Sequence, residues 1–155
     1  MLLAIDIGNT NVTLGVFAGE RLRATWRMAT DVHKMADEYA ALLLNMLAHE
    51  NIAASDITDV CLCNVVPPLT TTFIELSWRY LRATPLVVGA GVKTGVRIRM
   101  DNPKEVGADR IADAAAAHHL YGGPVIVIDL GTATTFGIVS GEGDYIGGII
   151  ATGIA

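Results

Sequence analysis

The pattern of apolar and polar positions predicts strands and helices that alternate along most of the chain. Short apolar runs bounded by turn residues are typical of strands, and apolar residues at a spacing of three to four are typical of helices. The predicted strands cover residues 2–7, 13–17, 21–28, 60–66, 86–88 and 125–130, and the predicted helices cover 37–50, 69–81 and 108–121. This succession indicates an α/β fold.

Residues 89–106 interrupt the alternation, because they are rich in glycine and polar residues. The run "VRIRMDNP" within them offers at most one edge strand, which ends at Pro103. We therefore expect a loop-bearing insertion before the alanine-rich third helix.

An internal repeat organises the sequence. The run Ile5-Asp6-Ile7-Gly8 matches Ile128-Asp129-Leu130-Gly131, and the run from Thr13 to Val16 matches that from Thr135 to Ile138. Each copy reads as strand, turn, strand. Self-similarity of this kind suggests two like-folded halves that face each other across a cleft. We place the first domain at residues 1–122 and the start of a second at 123–155.

The Asp-x-Gly turns of the repeat suit phosphate binding. Glycine lets the backbone approach a ligand, and turn amides with Asn or Thr side chains offer donors to phosphate oxygens. The carboxylates of Asp6 and Asp129 could hold Mg²⁺ that bridges to the phosphates. The alternative is that both aspartates only initiate turns, as Asp often does, although the repetition argues against it.

A third carboxylate, Asp109, opens the alanine-rich helix. Capping of the helix is the simpler interpretation from the residues alone. The neighbours Gly107 and Arg110 allow a second interpretation, in which the acid takes a proton from a hydroxyl that attacks a γ-phosphate.

Composition and charge restrict the function further. The net charge of −5 and the lack of a long basic run argue against nucleic acid as a partner. No apolar run approaches a membrane span and no signal peptide is evident, so we expect a cytoplasmic protein. Cys61 and Cys63 read as buried free thiols, because no further His or Cys lies nearby in the sequence to complete a metal site.

Taken together, the motifs resemble those of the type III pantothenate kinases, members of the actin, hexokinase and sugar-kinase superfamily. "DIGNTN" is similar to the first phosphate motif, "DLGTATTF" to the second, and "VGADRIA" to the catalytic segment. Further similar runs are "WRMATD", "DEYA", "NVVPP", "LVVGAGVKTG", "DNPKEVGADR" and "GGII", which follow in family order over nearly the whole chain.

This resemblance implies an actin-like ATPase (ribonuclease H-like) fold, with the first half complete and only the opening strands of the second half present. It implies ATP-dependent phosphorylation of pantothenate to 4'-phosphopantothenate, the first step of coenzyme A synthesis, in a homodimer with Mg²⁺ and a monovalent cation, K⁺ or NH₄⁺. The catalytic base falls on Asp109, and the metal falls on Asp6 and Asp129. The implied phosphate-binding residues are Asp6, Gly8, Asn9, Thr10, Asn11, Gly131, Thr132 and Thr134, and the implied pantothenate-binding residues are Met100, Gly107, Ala108 and Arg110.

The chain departs from the family pattern at three positions. Asp113 stands where Asn is usual, Thr152 where Pro is usual, and Asn64 where Ser is common. Family members are also longer, so we expect a truncated product, a fragment, or a dimer that shields apolar surface of the second half. The alternative function is a non-catalytic regulatory or nucleotide-binding protein on the same scaffold.

Overall fold

The computed structural model describes residues 1–89 and 91–153. The chain divides into two compact units, Met1–Val87 and Val88–Ala155. Each unit has its own sheet and its own apolar core.

The first unit contains a five-stranded sheet in the order β3-β2-β1-β4-β5. Strand β1 pairs antiparallel with β2 and parallel with β4, so a central strand has partners on both edges. Its elements are β1 (Leu2–Ile7), β2 (Asn11–Ala18), β3 (Arg21–Ala29), α1 (Ala36–His49), β4 (Asp59–Asn64), α2 (Leu69–Leu81) and β5 (Leu86–Val87), with a 3₁₀ turn at Ala54–Asp56.

The apolar positions that alternate along β1, β2 and β4 contribute to the core of the first unit. Leu3, Ile5 and Ile7 on β1 are at most 2% exposed. The same core cluster contains buried residues of α1 and α2, where Tyr39 and Phe73 have ring centroids 4.8 Å apart. Alternate strand residues point to one face, which is why three of six β1 residues supply the core.

The second unit contains a four-stranded sheet in the order β6-β9-β8-β7. Strands β7, β8 and β9 form an antiparallel meander, and the two-residue strand β6 pairs parallel with β9. The elements are β6 (Arg97–Ile98), α3 (Ala108–Tyr121), β7 (Val125–Leu130), β8 (Ala133–Val139) and β9 (Asp144–Thr152), with a 3₁₀ turn at Pro103–Glu105.

Helix α3 covers one face of the second sheet. Its residues Ile111 and Ala114 are buried in one cluster with Val139 of β8 and Tyr145 of β9. The Tyr145 ring lies against two paired glycines: a Cβ on Gly137 would lie 3.2 Å from the ring, and one on Gly148 would collide with the hydroxyl. Glycine is therefore required at these positions for close packing under α3.

The α/β class predicted from the sequence is confirmed. The helices predicted over 69–81 and 108–121 and the strand over 125–130 have the predicted bounds. Ile126, Ile128 and Leu130 of β7 are each more than half exposed.

Strands β9 and β6 extend the sheet of the second hairpin. The compact unit that contains this sheet begins at Val88 and includes α3. The boundary between residues 122 and 123, as a division between two actin-like domains, stays a prediction.

Candidate functional site

The first predicted phosphate turn joins β1 to β2 and is tightly closed. The Gly8 N–H donates to the Asn11 carbonyl at 2.9 Å, and a Cβ on Gly8 would approach that same oxygen to 3.2 Å. The side chains of Asn9, Thr10 and Asn11 are exposed, as is that of Asp6. The turn thus presents polar groups to its surroundings from a fixed backbone.

A residue that the sequence argument did not select supports this turn. The Thr30 hydroxyl donates to the Gly8 carbonyl at 2.6 Å, and the Thr30 N–H donates to the Thr10 carbonyl at 3.0 Å. Thr30 follows β3 directly, so the end of the third strand holds the turn between the first two. The signal in the sequence was its place in the family-like run "WRMATD".

The carboxyl end of β4 lies beside the carboxyl end of β1, because the two strands are parallel. There the Asn64 side chain accepts from the Val66 N–H at 2.7 Å and donates to the Thr70 hydroxyl at 2.7 Å. Asn64, one of the departures from the family pattern, therefore ties the end of β4 to the first turn of α2. Ligands of open α/β sheets bind at this edge.

The second predicted turn joins β7 to β8 and repeats the first in outline. The Gly131 N–H donates to the Ala133 carbonyl at 3.1 Å. Asp129, Gly131 and Thr132 are exposed. A Cβ on Gly131 would lie 3.6 Å from a carboxylate oxygen of Asp129, so the aspartate side chain and the turn backbone are close neighbours.

Strand register pairs each aspartate with a threonine. Asp6 lies opposite Thr13, and Asp129 lies opposite Thr135. The predicted phosphate-binding residue Thr134 pairs instead with Leu130, so it lies on the other face of β8 from Asp129 and is 9% exposed. Thr13 and Thr135, which the sequence argument did not select, are thus the direct cross-strand neighbours of the two aspartates, and both belong to the internal repeat.

Asp109 lies in the first turn of α3, whose N-cap is Gly107. Its carboxylate accepts from the Arg110 N–H at 2.8 Å, which is one of the amides that a helix start leaves without an intrahelical partner. The capping interpretation thus has a contact to support it. Such a contact also fixes the direction of the carboxylate, so it is compatible with a catalytic role.

Helix α3 and strand β7 are consecutive, and the chain reverses between them at Gly122–Pro124, where the Gly123–Pro124 bond is cis. The first turns of α3 therefore lie toward the carboxyl end of β7. A small cavity has Arg110 and Asp113 of α3 on one side and Val127 and Thr135 of the sheet on the other. Asp129 lies on the same sheet face as Val127, two residues further along.

A larger pocket of about 270 Å³ also borders α3. Ile111 of α3 and Pro103 form part of its wall, and the rest comes from the segment between Gly89 and Ile98. Met100, predicted to contact pantothenate, follows β6 and is 38% exposed. Ala108 and Gly107 are half-buried at the start of the helix.

The predicted residues therefore form two groups. Asp6, Gly8, Asn9, Thr10 and Asn11 belong to the first unit. The second unit brings the Asp129 turn and the start of α3 to one end of the same sheet. Within residues 1–89 and 91–153, no three His, Cys, Asp or Glu side chains converge as a metal cluster. Cys63 is buried as expected, whereas Cys61 is only partly buried, and this burial raises the pKa of the Cys61 thiol.

Comparison with solved structures supports the fold assignment. A Campylobacter jejuni protein assigned to the Baf family of transcriptional activators superposes with a TM-score of 0.56 at 20% identity, over 98% of this chain and 55% of that one. The ethanolamine utilization protein EutJ from Carboxydothermus hydrogenoformans superposes with a TM-score of 0.55 at 16% identity, over 97% and 51%. Such likeness supports the actin-like ATPase fold alone.

Sequence comparison identifies the family. The family model described as type III pantothenate kinase matches residues 2–155, and the chain belongs to that family. Type III pantothenate kinases from Dehalococcoides mccartyi strain CBDB1 and from Moorella thermoacetica are 60% and 52% identical to it, each over 99% of this chain. The chain spans 59% and 61% of the length of these two relatives.

None of the described helices is both long and apolar enough to cross a membrane.

Proposed function

We propose that this chain carries the phosphoryl-transfer machinery of a pantothenate kinase, which phosphorylates the pantothenate hydroxyl with ATP to give 4'-phosphopantothenate. The observation that supports this most is the repeated Asp-x-Gly turn, with a threonine paired to each aspartate, in a chain that matches the family from residue 2 onward. None of the comparisons favours the non-catalytic alternative.

In this proposal the two turns bind the triphosphate. Backbone amides and the side chains of Asn9, Thr10 and Thr132 donate to phosphate oxygens. Thr134 is a weaker candidate than in the sequence argument, because it is buried on the far face of β8. The binding of one nucleotide by both turns is part of this proposal.

Mg²⁺ fits the donor groups that the two turns offer. Mg²⁺ retains several waters and is usually bound by one or two carboxylates together with substrate phosphates. Asp6 and Asp129 are exposed carboxylates beside turns that suit phosphate binding, which fits this mode. The bound ion would neutralise charge that develops on the transferred phosphoryl group.

Asp109 is the proposed base, which accepts the proton of the attacking hydroxyl. Gly107, Ala108, Arg110 and Met100 are proposed to bind pantothenate near it, and the guanidinium of Arg110 suits the substrate carboxylate. The proposal also includes a homodimer, a cytoplasmic location, and K⁺ or NH₄⁺ as a second cation, for which the family resemblance is the support.

A coupled assay with ATP, Mg²⁺, K⁺ and pantothenate tests the proposal. We expect pantothenate-dependent turnover by this chain, and Asp109→Asn should lower it by about 10²-fold or more while leaving ATP affinity unchanged. Asp113→Asn is the matched control, since it makes the same change one turn along α3 and introduces the residue usual in the family. The control should retain turnover.

Two results would count against the proposal. If this chain showed no pantothenate-dependent turnover under conditions where the Moorella thermoacetica relative is active, it would not be a kinase by itself. If Asp109→Asn and Asp113→Asn had equal effects, the assignment of the base to Asp109 would be wrong.

A further inference from the structure

The first predicted phosphate turn has a carboxylate beside it but no cationic side chain of its own. The residues assigned to it are Asp6, Gly8, Asn9, Thr10 and Asn11, whose side chains offer amides, a hydroxyl and one carboxylate. A bound triphosphate carries several negative charges, and phosphoryl-transfer sites neutralise such charge with metal ions and with lysine or arginine side chains. The charge of the ligand therefore calls for a cation on the same face of the first unit.

Three strands of the first sheet align one residue each beside this turn. Asp6 on β1 lies opposite Thr13 on β2, and Thr13 lies opposite Arg27 on β3. Residues directly opposite each other in antiparallel strands point to the same face of the sheet. Ile5 and Ile7, the neighbours of Asp6, are buried in one core with α1 and α2, so this row of three residues lies on the other face.

Strand spacing and side-chain size allow Arg27 to reach the turn. Neighbouring strands are about 4.8 Å apart, which places the Cα atoms of Arg27 and Asp6 about 10 Å from each other. Thr13, between them, has a short side chain and is half-buried, whereas Arg27 is exposed and long enough to cross most of this distance. The guanidinium can therefore lie over Thr13 and beside a phosphate held at the Gly8 turn.

Arg27 is also free to bind an anionic ligand. It takes part in none of the salt bridges between the residues that the structure describes. Lys34, four residues after Thr30, pairs instead with Asp31 at 3.2 Å. An arginine suits phosphate in particular, because its planar guanidinium can donate two parallel hydrogen bonds to phosphate oxygens.

The corresponding row of the second unit has no cation. Asp129 lies opposite Thr135, as Asp6 lies opposite Thr13, but Thr135 lies opposite Ile150 on β9. The two copies of the repeat therefore share the aspartate and the threonine and differ at the third position. A positive side chain in this row belongs to the first turn alone.

We propose that Arg27 is a phosphate-binding residue of the first turn, where its guanidinium donates to oxygens of a nucleotide triphosphate held by the Gly8 turn. This inference rests on the proposed function, because it requires that the first turn binds phosphate. It adds the positive side chain that the Asp-x-Gly motif itself does not contain.

Calorimetric titration of this chain with tripolyphosphate in the presence of Mg²⁺ tests the inference. We expect Arg27→Gln to weaken binding by about tenfold or more, because it removes charge-assisted hydrogen bonds to the ligand. Arg27→Lys keeps the charge and loses the planar fork, so its affinity should lie between those of Arg27→Gln and the unmodified chain. The Nε–H resonance of Arg27 should shift when tripolyphosphate is added, which an arginine with a merely structural role would not show.

Arg23→Gln is the matched control, because it removes the same charge from the same strand. Arg23 is exposed at the register shift of β3, about 13 Å along the strand from Arg27. At 0.15 M ionic strength the Debye length is about 8 Å, so the affinity of this variant should stay within about twofold of the unmodified chain. Both arginines are exposed, and thermal unfolding of both variants should match that of the unmodified chain.

Three outcomes would overturn the inference. The first is no binding of tripolyphosphate by the unmodified chain, and the second is equal weakening by Arg27→Gln and Arg23→Gln. The third is binding that Arg27→Gln leaves unchanged, which would contradict the role of Arg27 and leave phosphate binding by the turn intact. Lack of pantothenate-dependent turnover together with the expected effect of Arg27→Gln on binding would contradict the proposed function and support the inference.

Discussion

The residue Thr30 stabilises the turn between β1 and β2, because its hydroxyl donates to the carbonyl of Gly8 while its N–H donates to that of Thr10. Thr30→Val keeps the shape of the side chain and removes one hydrogen bond. Because a typical hydrogen bond contributes about 1 kcal/mol, we expect the free energy of unfolding in urea to fall by about that amount. Exchange of the Gly8 amide should accelerate.

Thr25→Val is the control for this change, since Thr25 is an exposed residue of the same strand. An equal loss of stability in both variants, with no difference at the Gly8 amide, would show that the Thr30 hydroxyl does not hold the turn.

Some residues of the two turns could be predicted from the sequence, and others could not. Asp6, Gly8 and Asp129 could be selected because a repeated Asp-x-Gly is visible in the letters. The contact of Thr30 with the first turn could not be predicted, because it depends on a hydrogen bond across 22 residues of chain. The positions of Thr13 and Thr135 opposite the aspartates depend on strand register. Thr134 was selected from its place in the motif, but it pairs with Leu130 and therefore lies on the opposite face of β8 from Thr135, which pairs with Asp129.

Among the elements, those with a clear apolar period and distinct end signals were predicted best. Helix α2 follows two prolines and is capped at its C-terminus by Arg82 in the left-handed region with φ of 57°. Helix α3 is capped by Gly122 with φ of 74°. Strand β9 was not predicted, because Gly147 and Gly148 interrupt any alternating pattern. Its place in the sheet depends on tertiary pairing with β8 and β6.

Two arginine side chains link the two-residue strand β6 and the residue that follows it to β9. Arg97 and Arg99 donate through Nε to the two oxygens of Asp144 at 2.6 and 3.0 Å. The Arg97 hydrogen bond is the main cause that holds the pKa of Asp144 below its usual 3.8. A lowered pKa means that the contact stabilises the folded state above about pH 3.8 and is lost as the pH falls below it.

As the pH falls below 3.8 and through the lowered pKa of Asp144, protonation of its carboxylate should therefore weaken the attachment of β6 to β9. We expect the Arg99 amide, which donates to the Tyr145 carbonyl at 2.8 Å, to lose protection over that range in hydrogen-exchange measurements. Asp144→Asn should flatten the pH dependence, whereas Asp101→Asn, at an exposed neighbouring carboxylate, should leave it unchanged. A profile that Asp144→Asn does not alter would assign the transition to another group.

On the scale of the whole molecule, the two units differ greatly in their cores. The buried cluster of the first unit draws on β1, β2, β4, α1 and α2. That of the second contains five buried residues, Val106, Ile111, Ala114, Val139 and Tyr145. Burial of apolar area is the dominant favourable contribution to folding, so the first unit should hold most of the stability of the chain.

This difference predicts that the two units unfold separately, the second before the first. In native-state hydrogen exchange, amides of β1 and β4 should open only with global unfolding, whereas those of β7 and β9 should open at lower free energy. Leu43→Ala in α1 and Ile111→Ala in α3 remove side chains that are each 1% exposed. Each should cost about 2–5 kcal/mol, Leu43→Ala in the later transition and Ile111→Ala in the earlier one. A single transition shifted equally by both variants would show that the small core of the second unit is not an independent weak point, because its unfolding would then be coupled to that of the first.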